Sequence, residues 1–394
     1  MDILWAWGEA LLRWTHVIAG IGWIGSSFYF IHLDLSLRKS QTLPVDADGD
    51  AWQVHGGGFY HMIKYMIAPA KMPDELTWFK WEAYATWLTG FALLVAIYYF
   101  GAQLYLIDRE VFALSPVTAA FLSVAGLIAG WLIYDRLCKS RLGENEKLLA
   151  ITGFVLLIAA CYGFTRLFSS RGAFMELGAL IGTIMASNVA MVIIPGQRKV
   201  VKALLAGEKP DPVYGKRGKQ RSVHNNYLTL PVIFVMIGNH YPLAFATRWN
   251  WLIWALLIVI GGCVRHFINM RHKQHKQLWW TWGIAVACLA AIMFLSLQGP
   301  AKGRQASVVI PMKVSFDNVE PIIATRCSMC HAAEPLWPGM ASPPKGVELD
   351  TPEKIGLRRR EIALQAAITS AMPPANITEI TPEERAILAA WSSQ

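Results

Sequence analysis

Long apolar runs recur through the first 297 residues, and they constrain the fold of this chain more than any other feature. A helix needs about 20 consecutive apolar residues to cross the roughly 30 Å of hydrocarbon in a bilayer. The sixth run is the weakest, because Pro231 and a polar stretch from Asn239 to Pro242 interrupt it. Runs of sufficient length predict eight transmembrane helices, near residues 5–32, 82–100, 114–134, 148–165, 174–194, 227–243, 250–269 and 279–297.

Composition and charge agree with a protein of the membrane. Hydrophobic residues make up 54% of the chain and charged residues 16%, and seventeen tryptophans suggest belts at the two membrane surfaces. Connections rich in lysine and arginine stay in the cytoplasm, and here they alternate with connections that have few. This alternation predicts a bacterial inner-membrane protein with both termini in the periplasm. The net charge of +9 comes from these connections, so no nucleic-acid partner is expected. Basic residues concentrate in alternate connections: Arg38, Lys39, Arg136, Lys139, Arg141, residues 198–221, Arg271, Lys273 and Lys276.

The segment Cys327-Ser328-Met329-Cys330-His331 has the spacing of a c-type haem attachment site. The two thiols can add to the haem vinyl groups, and His331 can ligate the iron. Met372, in front of two prolines, is the predicted opposite ligand, and Met340 is the alternative. A redox dithiol or half of a zinc site would share the cysteine spacing, but no second cysteine pair follows. One covalent haem c is therefore predicted.

These observations predict an all-α chain in three parts. Residues 1–297 form an integral-membrane bundle of about eight helices, 298–313 a linker, and 314–394 a small all-α haem domain in the periplasm. Residues 347–357 and 372–391 resemble class I cytochromes c, which implies outer-sphere electron transfer without an open iron site. The chemistry is then expected in the bundle, and the small haem domain is expected to fold poorly without its macrocycle.

Ionisable side chains inside a bilayer cost free energy and usually mark a site. Glu82, His224, Arg265 and His266 fall toward the predicted cytoplasmic side, and amides accompany them at Asn188, Asn225, Asn226 and Asn269. His16 and His240 fall in the middle or outer half, where they are predicted as ligands of a possible haem b. Each has a simpler interpretation: a histidine at a helix end can be interfacial, and Arg265 can snorkel to the surface.

A glycine run, His55-Gly56-Gly57-Gly58-Phe59-Tyr60-His61, lies in the connection after the first predicted helix. Its glycines permit close approach of the backbone to a ligand or a sharp re-entrant turn. A flexible loop is the alternative.

Four motifs resemble the membrane-bound bacterial urate oxidases. They are His55–Tyr60, Trp81–Tyr84, the stretch from Arg221 through His224-Asn225-Asn226-Tyr227 to Pro231, and Arg265-His266-Phe267 with Asn269. The resemblance implies oxidation of urate by water to 5-hydroxyisourate, with electrons passing through the fused haem to a downstream cytochrome c or terminal oxidase. It further suggests that Arg265 and amides bind the urate anion, with Glu82 or His224 as base and His266 nearby.

Two other functions fit the same residues. The first is a haem-containing membrane quinol:cytochrome c electron-transfer protein, in which His16 and His240 bind haem and the inner polar layer binds quinone. The second is a transporter or sensor that carries a redox module. An optical spectrum would separate them, because only haem c is expected in the second case.

Overall fold

The computed structural model describes residues 2–65, 69, 72–274, 277–300, 313–338 and 340–394. Most of these residues are helical. The helices of the bundle are α1 (Asp2–Ser36), α2 (Trp81–Leu93), α3 (Ala102–Tyr105), α4 (Pro116–Lys139), α5 (Glu146–Leu167), α6 (Ser170–Ser187), α7 (Ile194–Leu205), α8 (Pro212–Gly238), α9 (Pro242–Phe245), α10 (Asn250–Gln274) and α11 (Trp280–Ser296). In the bundle, Leu94–Tyr99 is a wider π-helical turn that extends α2, and Asn188–Ile193 is another that joins α6 to α7. A third, Ala363–Ile368, lies in the C-terminal residues.

A helix occupies each of the eight positions at which the apolar runs predict one. Within the described residues, five helical segments are both long and apolar enough to cross a membrane: Ile3–Ser36, Pro116–Lys139, Glu146–Leu167, Ser170–Leu205 and Asn250–Lys273. Trp280–Ser296 is apolar but shorter. The basic connection predicted at residues 198–221 is largely helical, because α7 continues to Leu205 and α8 begins at Pro212.

The basic connections gather at one end of the bundle. Arg38 donates to the carbonyl of His272 at 3.4 Å, which joins the end of α1 to the end of α10. Arg221 at the start of α8 pairs with Asp135 near the end of α4, at 2.9 Å. We call this the basic end. At the other end, the loop before α6 bonds the loop after α3, where the Ser169 amide donates to Leu106 at 2.8 Å.

The all-α prediction is wrong at one place, because a two-stranded antiparallel hairpin follows α1. Strands β1 (Ala47–His55) and β2 (Gly58–Tyr65) pair with Gln53 opposite Tyr60 and Val54 opposite Phe59. Gly56 and Gly57 have φ of 59° and 81°, a left-handed conformation that suits glycine, and they make the two-residue turn. The glycine run is therefore an ordered turn.

The described C-terminal residues form a second, smaller helical unit. Its helices are α12 (Phe316–Arg326), α13 (Ser328–His331), α14 (Pro352–Leu357), α15 (Arg359–Ile362) and α16 (Pro382–Ser392). Their buried apolar side chains, among them Val319, Ile323 and Leu388, form a cluster separate from that of the bundle. Thr381 and Glu384 form the capping box that starts α16. Most of the predicted linker, residues 301–312, lies outside the described residues.

Candidate functional site

Helix α8 carries two consecutive amides that face different neighbours. Successive residues of an α-helix point about 100° apart, so Asn225 and Asn226 cannot share a partner helix. Asn225 faces the π-helical turn after α6, and Asn226 faces α10. Both side chains are buried, at 4% and 1% exposure. Two polar clusters result, one on each side of α8 and both toward the basic end.

The first cluster, which we call the tyrosine network, joins α4, α8 and the π-helical turn. The Asn188 amide donates to the Tyr134 hydroxyl at 3.1 Å and to Asn225 Oδ1 at 2.9 Å. The Tyr134 hydroxyl bonds His224 Nδ1 at 2.7 Å. Arg221, only 2% exposed, donates to Asn188 Oδ1 and lies over the Tyr134 ring at 4.7 Å. A buried cation is thus surrounded by oxygen and π electrons.

The second cluster, which we call the arginine–amide cluster, joins α8 to α10. Arg265 donates from Nε to Asn226 Oδ1 at 3.3 Å and from a terminal nitrogen to Asn269 Oδ1 at 3.2 Å. The Asn269 amide also donates to Asn226 Oδ1, at 3.0 Å. The Asn226 Nδ2 group is buried and has no hydrogen-bond partner among the described residues. Such an unmet donor beside a cation is what an anionic, carbonyl-bearing ligand would satisfy.

One wall of the arginine–amide cluster is aromatic. The Arg265 guanidinium lies over the ring of Phe28 on α1, 3.8 Å from its centre. Arg265 is 4% exposed, so the interpretation that it merely snorkels to the surface does not fit. The guanidinium thus lies against an aromatic ring and donates to two amide oxygens, so the cluster has one apolar and one polar side.

The four predicted catalytic residues do not lie in a single cluster. His224 belongs to the tyrosine network and Arg265 to the arginine–amide cluster. His266 points elsewhere, toward the Tyr227 hydroxyl at 3.0 Å. Glu82 begins α2, and its side chain packs beside Gly22 of α1. In the described part of the chain, no hydrogen bond or ion pair joins any two of the four.

The two histidines predicted to bind a haem b lie in different surroundings. His16 packs against Gly90, and its Nδ1 lies 3.0 Å from the Thr86 carbonyl and 3.1 Å from the Thr89 hydroxyl. His240 is exposed just beyond the end of α8. No contact between the two rings occurs among the residues described, and their pairing stays a prediction.

Three residues of the buried polar layers were absent from the sequence-based candidates: Tyr134, Asp135 and Glu176. Glu176 is fully buried on α6, where it accepts a hydrogen bond from Ser123 at 2.7 Å. Ser123 in turn bonds the Tyr99 hydroxyl at 2.6 Å. Glu176 is the only charged residue of the predicted span 174–194. That isolation was a signal in the sequence, since an intramembrane carboxyl is costly unless it has a partner or a role.

The last four residues of the Cys-x-x-Cys-His motif form the single turn of helix α13, and Cys327 precedes it as the N-cap residue. His331 Nδ1 lies 2.8 Å from the Val347 carbonyl, and this hydrogen bond leaves Nε2 as the ring nitrogen that could ligate a metal. Cys327 and Cys330 are not joined to each other, and burial raises the pKa of the Cys327 thiol to about 12. Cys327 and Met372 pack against the same apolar cluster. The donor set of two thiols, one imidazole and one thioether therefore fits a covalent haem.

These features define a helical protein with several helices long and apolar enough to cross a membrane, and with buried cation and amide clusters in its bundle. Residues 2–296 match the family described as urate oxidase N-terminal, which covers about three quarters of the chain. The chain therefore belongs to that family. Membership indicates an oxidoreductase of urate metabolism, and the four motifs that carry the resemblance all lie in the matched range. No curated protein and no solved structure matches the chain.

Proposed function

We propose that the chain oxidises urate to 5-hydroxyisourate and delivers the electrons to a haem c in its C-terminal unit. One water adds its oxygen to the purine, and two protons and two electrons leave. The observation that carries the proposal is the arginine–amide cluster inside the family-matched bundle, with its unmet donor at Asn226 Nδ2. Urate is a planar monoanion at neutral pH, and its carbonyl oxygens are the acceptors that such a donor needs.

Substrate binding would use three features of this cluster. Arg265 supplies the positive charge, and burial strengthens its attraction for an anion because little water screens it. Asn226 Nδ2 donates to a purine carbonyl. Phe28, already stacked on Arg265, offers a flat apolar surface beside the ring. Together they orient a planar anion.

His224 and Glu82 are the proposed bases. When His224 Nδ1–H donates to the Tyr134 hydroxyl, its Nε2 is the nitrogen that can accept a proton. Glu82, beside Gly22 at the start of α2, is the second candidate. His266, bonded to Tyr227, is proposed to position that hydroxyl beside Arg265. The proposed substrate site lies toward the basic end and the C-terminal unit contacts the opposite end, so the electrons have to cross the bundle. A haem b, which His16 and His240 would hold, stays the proposed relay.

Cys327 and Cys330 would bind the haem covalently, His331 and Met372 would ligate its iron, and the bound group would accept one electron at a time. The downstream acceptor is proposed to be a cytochrome c or terminal oxidase. The bundle is proposed to lie in a bacterial inner membrane, with the C-terminal unit in the periplasm. The supporting observation is that the basic connections cluster at the end of the bundle away from that unit.

The test is to add urate to membranes that contain the protein under nitrogen, and to record the absorbance of reduced haem c. We expect reduction by urate but none by xanthine, and Arg265→Ala should slow it about tenfold to a hundredfold. Arg265→Lys should be almost as slow as Arg265→Ala, because the ammonium group of lysine lacks the planar, forked donors of a guanidinium group. An iron that stays ferric with urate in the intact protein would refute the proposal.

A further inference from the structure

The loop that carries Met372 contacts the end of the bundle opposite the basic end. Ser370 donates from its amide to the Ala246 carbonyl at 2.9 Å, and its hydroxyl lies 3.2 Å from the same oxygen. Asn376 donates from Nδ2 to Glu110 Oε1 at 2.6 Å. Ser370 and Asn376 are 6% and 4% exposed. The contact therefore has two polar anchors, one on each side of Met372.

Apolar packing lies between these anchors. Ala371 is 5% exposed and belongs to the apolar cluster of the bundle, whereas its neighbour Met372 packs against the cluster of the C-terminal unit. On the bundle side, Phe245, Ala246 and Thr247 are almost fully buried. A cleft of about 20 Å³ lies between the two surfaces, lined in part by Phe245 and Ala371. The low exposure of Ala371 and of Phe245–Thr247 shows that the surfaces cover each other.

Both bundle residues in this contact come from short connections that the bundle itself fixes. Ala246 ends α9 and is held there by its amide hydrogen bond to the Pro242 carbonyl at 2.8 Å. Glu110 follows Asp108, whose carboxylate accepts the Glu110 amide at 3.1 Å. On the other side, Arg385 fixes the loop by donating to the Met372 carbonyl at 2.9 Å and to Asn376 Oδ1 at 3.1 Å. Two pre-formed surfaces meet.

We propose that the C-terminal unit works while docked in this way, so that electrons leave the bundle without a swing of the tethered unit. The docking surface on the bundle is Glu110 with Phe245–Thr247, and its partner is the loop 370–376 of the same chain. This inference rests on the proposed function for the direction of electron flow. The docking itself can be tested without urate.

The experiment joins the two surfaces by a disulfide in the full-length haem-loaded protein. Ala246→Cys with Ser370→Cys is the first pair, because hydrogen-bonded backbones lie within the span of a disulfide. Glu110→Cys with Asn376→Cys is the second pair, which serves if the first variant does not fold. Each single cysteine variant is a control for the native thiols. A protease site inserted among residues 298–313 lets electrophoresis without reductant report whether the two halves stay linked.

We expect most of the oxidised double variant to stay linked after cleavage and the single variants to separate. Urate-dependent haem reduction in the linked protein should stay within about twofold of the unlinked rate. Failure of both pairs to link would refute the docking. A fall beyond twofold would show that the unit must move, if the rate recovers after the disulfide is reduced, the reductant is removed and the haem is reoxidised, because a reductant left in the sample would itself reduce the haem. If urate reduces neither form, the proposed function fails while the linkage result stands.

Discussion

At the scale of single residues, the unmet amide of Asn226 carries the sharpest prediction. Asn226→Ala removes the proposed donor to the purine and the acceptor of Arg265 and Asn269. A buried hydrogen bond of this kind contributes about 1–3 kcal/mol, so KM for urate should rise about tenfold or more. The urate concentration at the half-maximal rate of haem reduction, recorded under nitrogen, measures this rise in KM.

The control for this prediction is Asn239→Ala. Asn239 is an amide at the other end of α8 and bonds the Tyr98 hydroxyl at 3.0 Å. Its loss should leave KM within about twofold, because it lies outside the proposed site. Equal rises in KM for the two variants would contradict the assignment of Asn226.

A second residue-scale prediction concerns acid stability near the haem motif. Lys354 lowers the pKa of Asp350 by donating a hydrogen bond at 2.7 Å, and the Ala333 amide donates to the same carboxyl group at 2.9 Å. A lowered pKa in the folded state means that Asp350 stabilises the fold above its ordinary pKa of 3.8. That stabilisation is lost as pH falls through the folded-state pKa.

Thermal unfolding of the haem-loaded protein, followed at about pH 6 and about pH 3, measures this loss. Asp350→Asn should lower the melting temperature at the higher pH, and the melting temperature of this variant should depend less on pH. Asp317→Asn, at an exposed aspartate on α12, is the control. An Asp350→Asn curve with the same pH dependence as the unmodified protein would contradict the prediction.

At the scale of elements, periodic apolar runs predicted the helices well and the hairpin not at all. A run of about 20 apolar residues has few other structures open to it in a bilayer. Only β1 has a period-two signal, since the apolar side chains of Trp52 and Val54 are exposed and alternate with the partly buried Ala51 and Gln53. In the sequence, the three glycines favour close approach to a ligand, a re-entrant turn or a flexible loop. In the structure, two of them have positive φ, which is typical of a hairpin turn.

The turn gives a prediction at this scale. Gly57→Ala should destabilise the hairpin by about 1 kcal/mol, because φ of 81° is unfavourable for a residue with a Cβ atom. Hydrogen exchange of the amides of β1 and β2 should speed up accordingly. Gly215→Ala in α8 is the matched control, since a Cβ there meets nothing within 4 Å. It should be neutral or slightly stabilising, and equal effects at both sites would contradict the turn assignment.

At the scale of the whole molecule, the bundle and the C-terminal unit have separate apolar clusters, and this separation predicts separate responses to loss of haem. Replacing Cys327 and Cys330 with alanine removes covalent attachment. The small C-terminal unit should then be cleaved by protease about tenfold faster or more, because the proposed haem would supply much of the apolar interior of so small a unit. The bundle fragment should resist as before.

Cys263→Ala with Cys288→Ala is the control, since these two partly exposed thiols lie in the bundle. Limited proteolysis followed by mass spectrometry identifies which half is cut. Equal protease resistance of the C-terminal unit with and without its haem thiols would contradict a structural role for the cofactor.

The sequence by itself determined the features that depend on neighbouring residues. The length of the apolar runs determines the helices, and Thr381 with Glu384 determines the start of α16. The Cys327–His331 spacing is likewise local, and haem attachment there stays a prediction. These features arise within a few turns of chain, where the backbone fixes which side chains can meet.

Only the tertiary structure decided which distant polar groups share a site. It separates Asn225 from Asn226, sends Arg265 and His266 to different partners, and places the Met372 loop on Ala246. Successive residues of a helix point about 100° apart, so the rotation of the helix about its axis decides which of them faces a given neighbour. That rotation is set by the packing of all the neighbouring helices together. Sequence spacing within one helix does not carry that information.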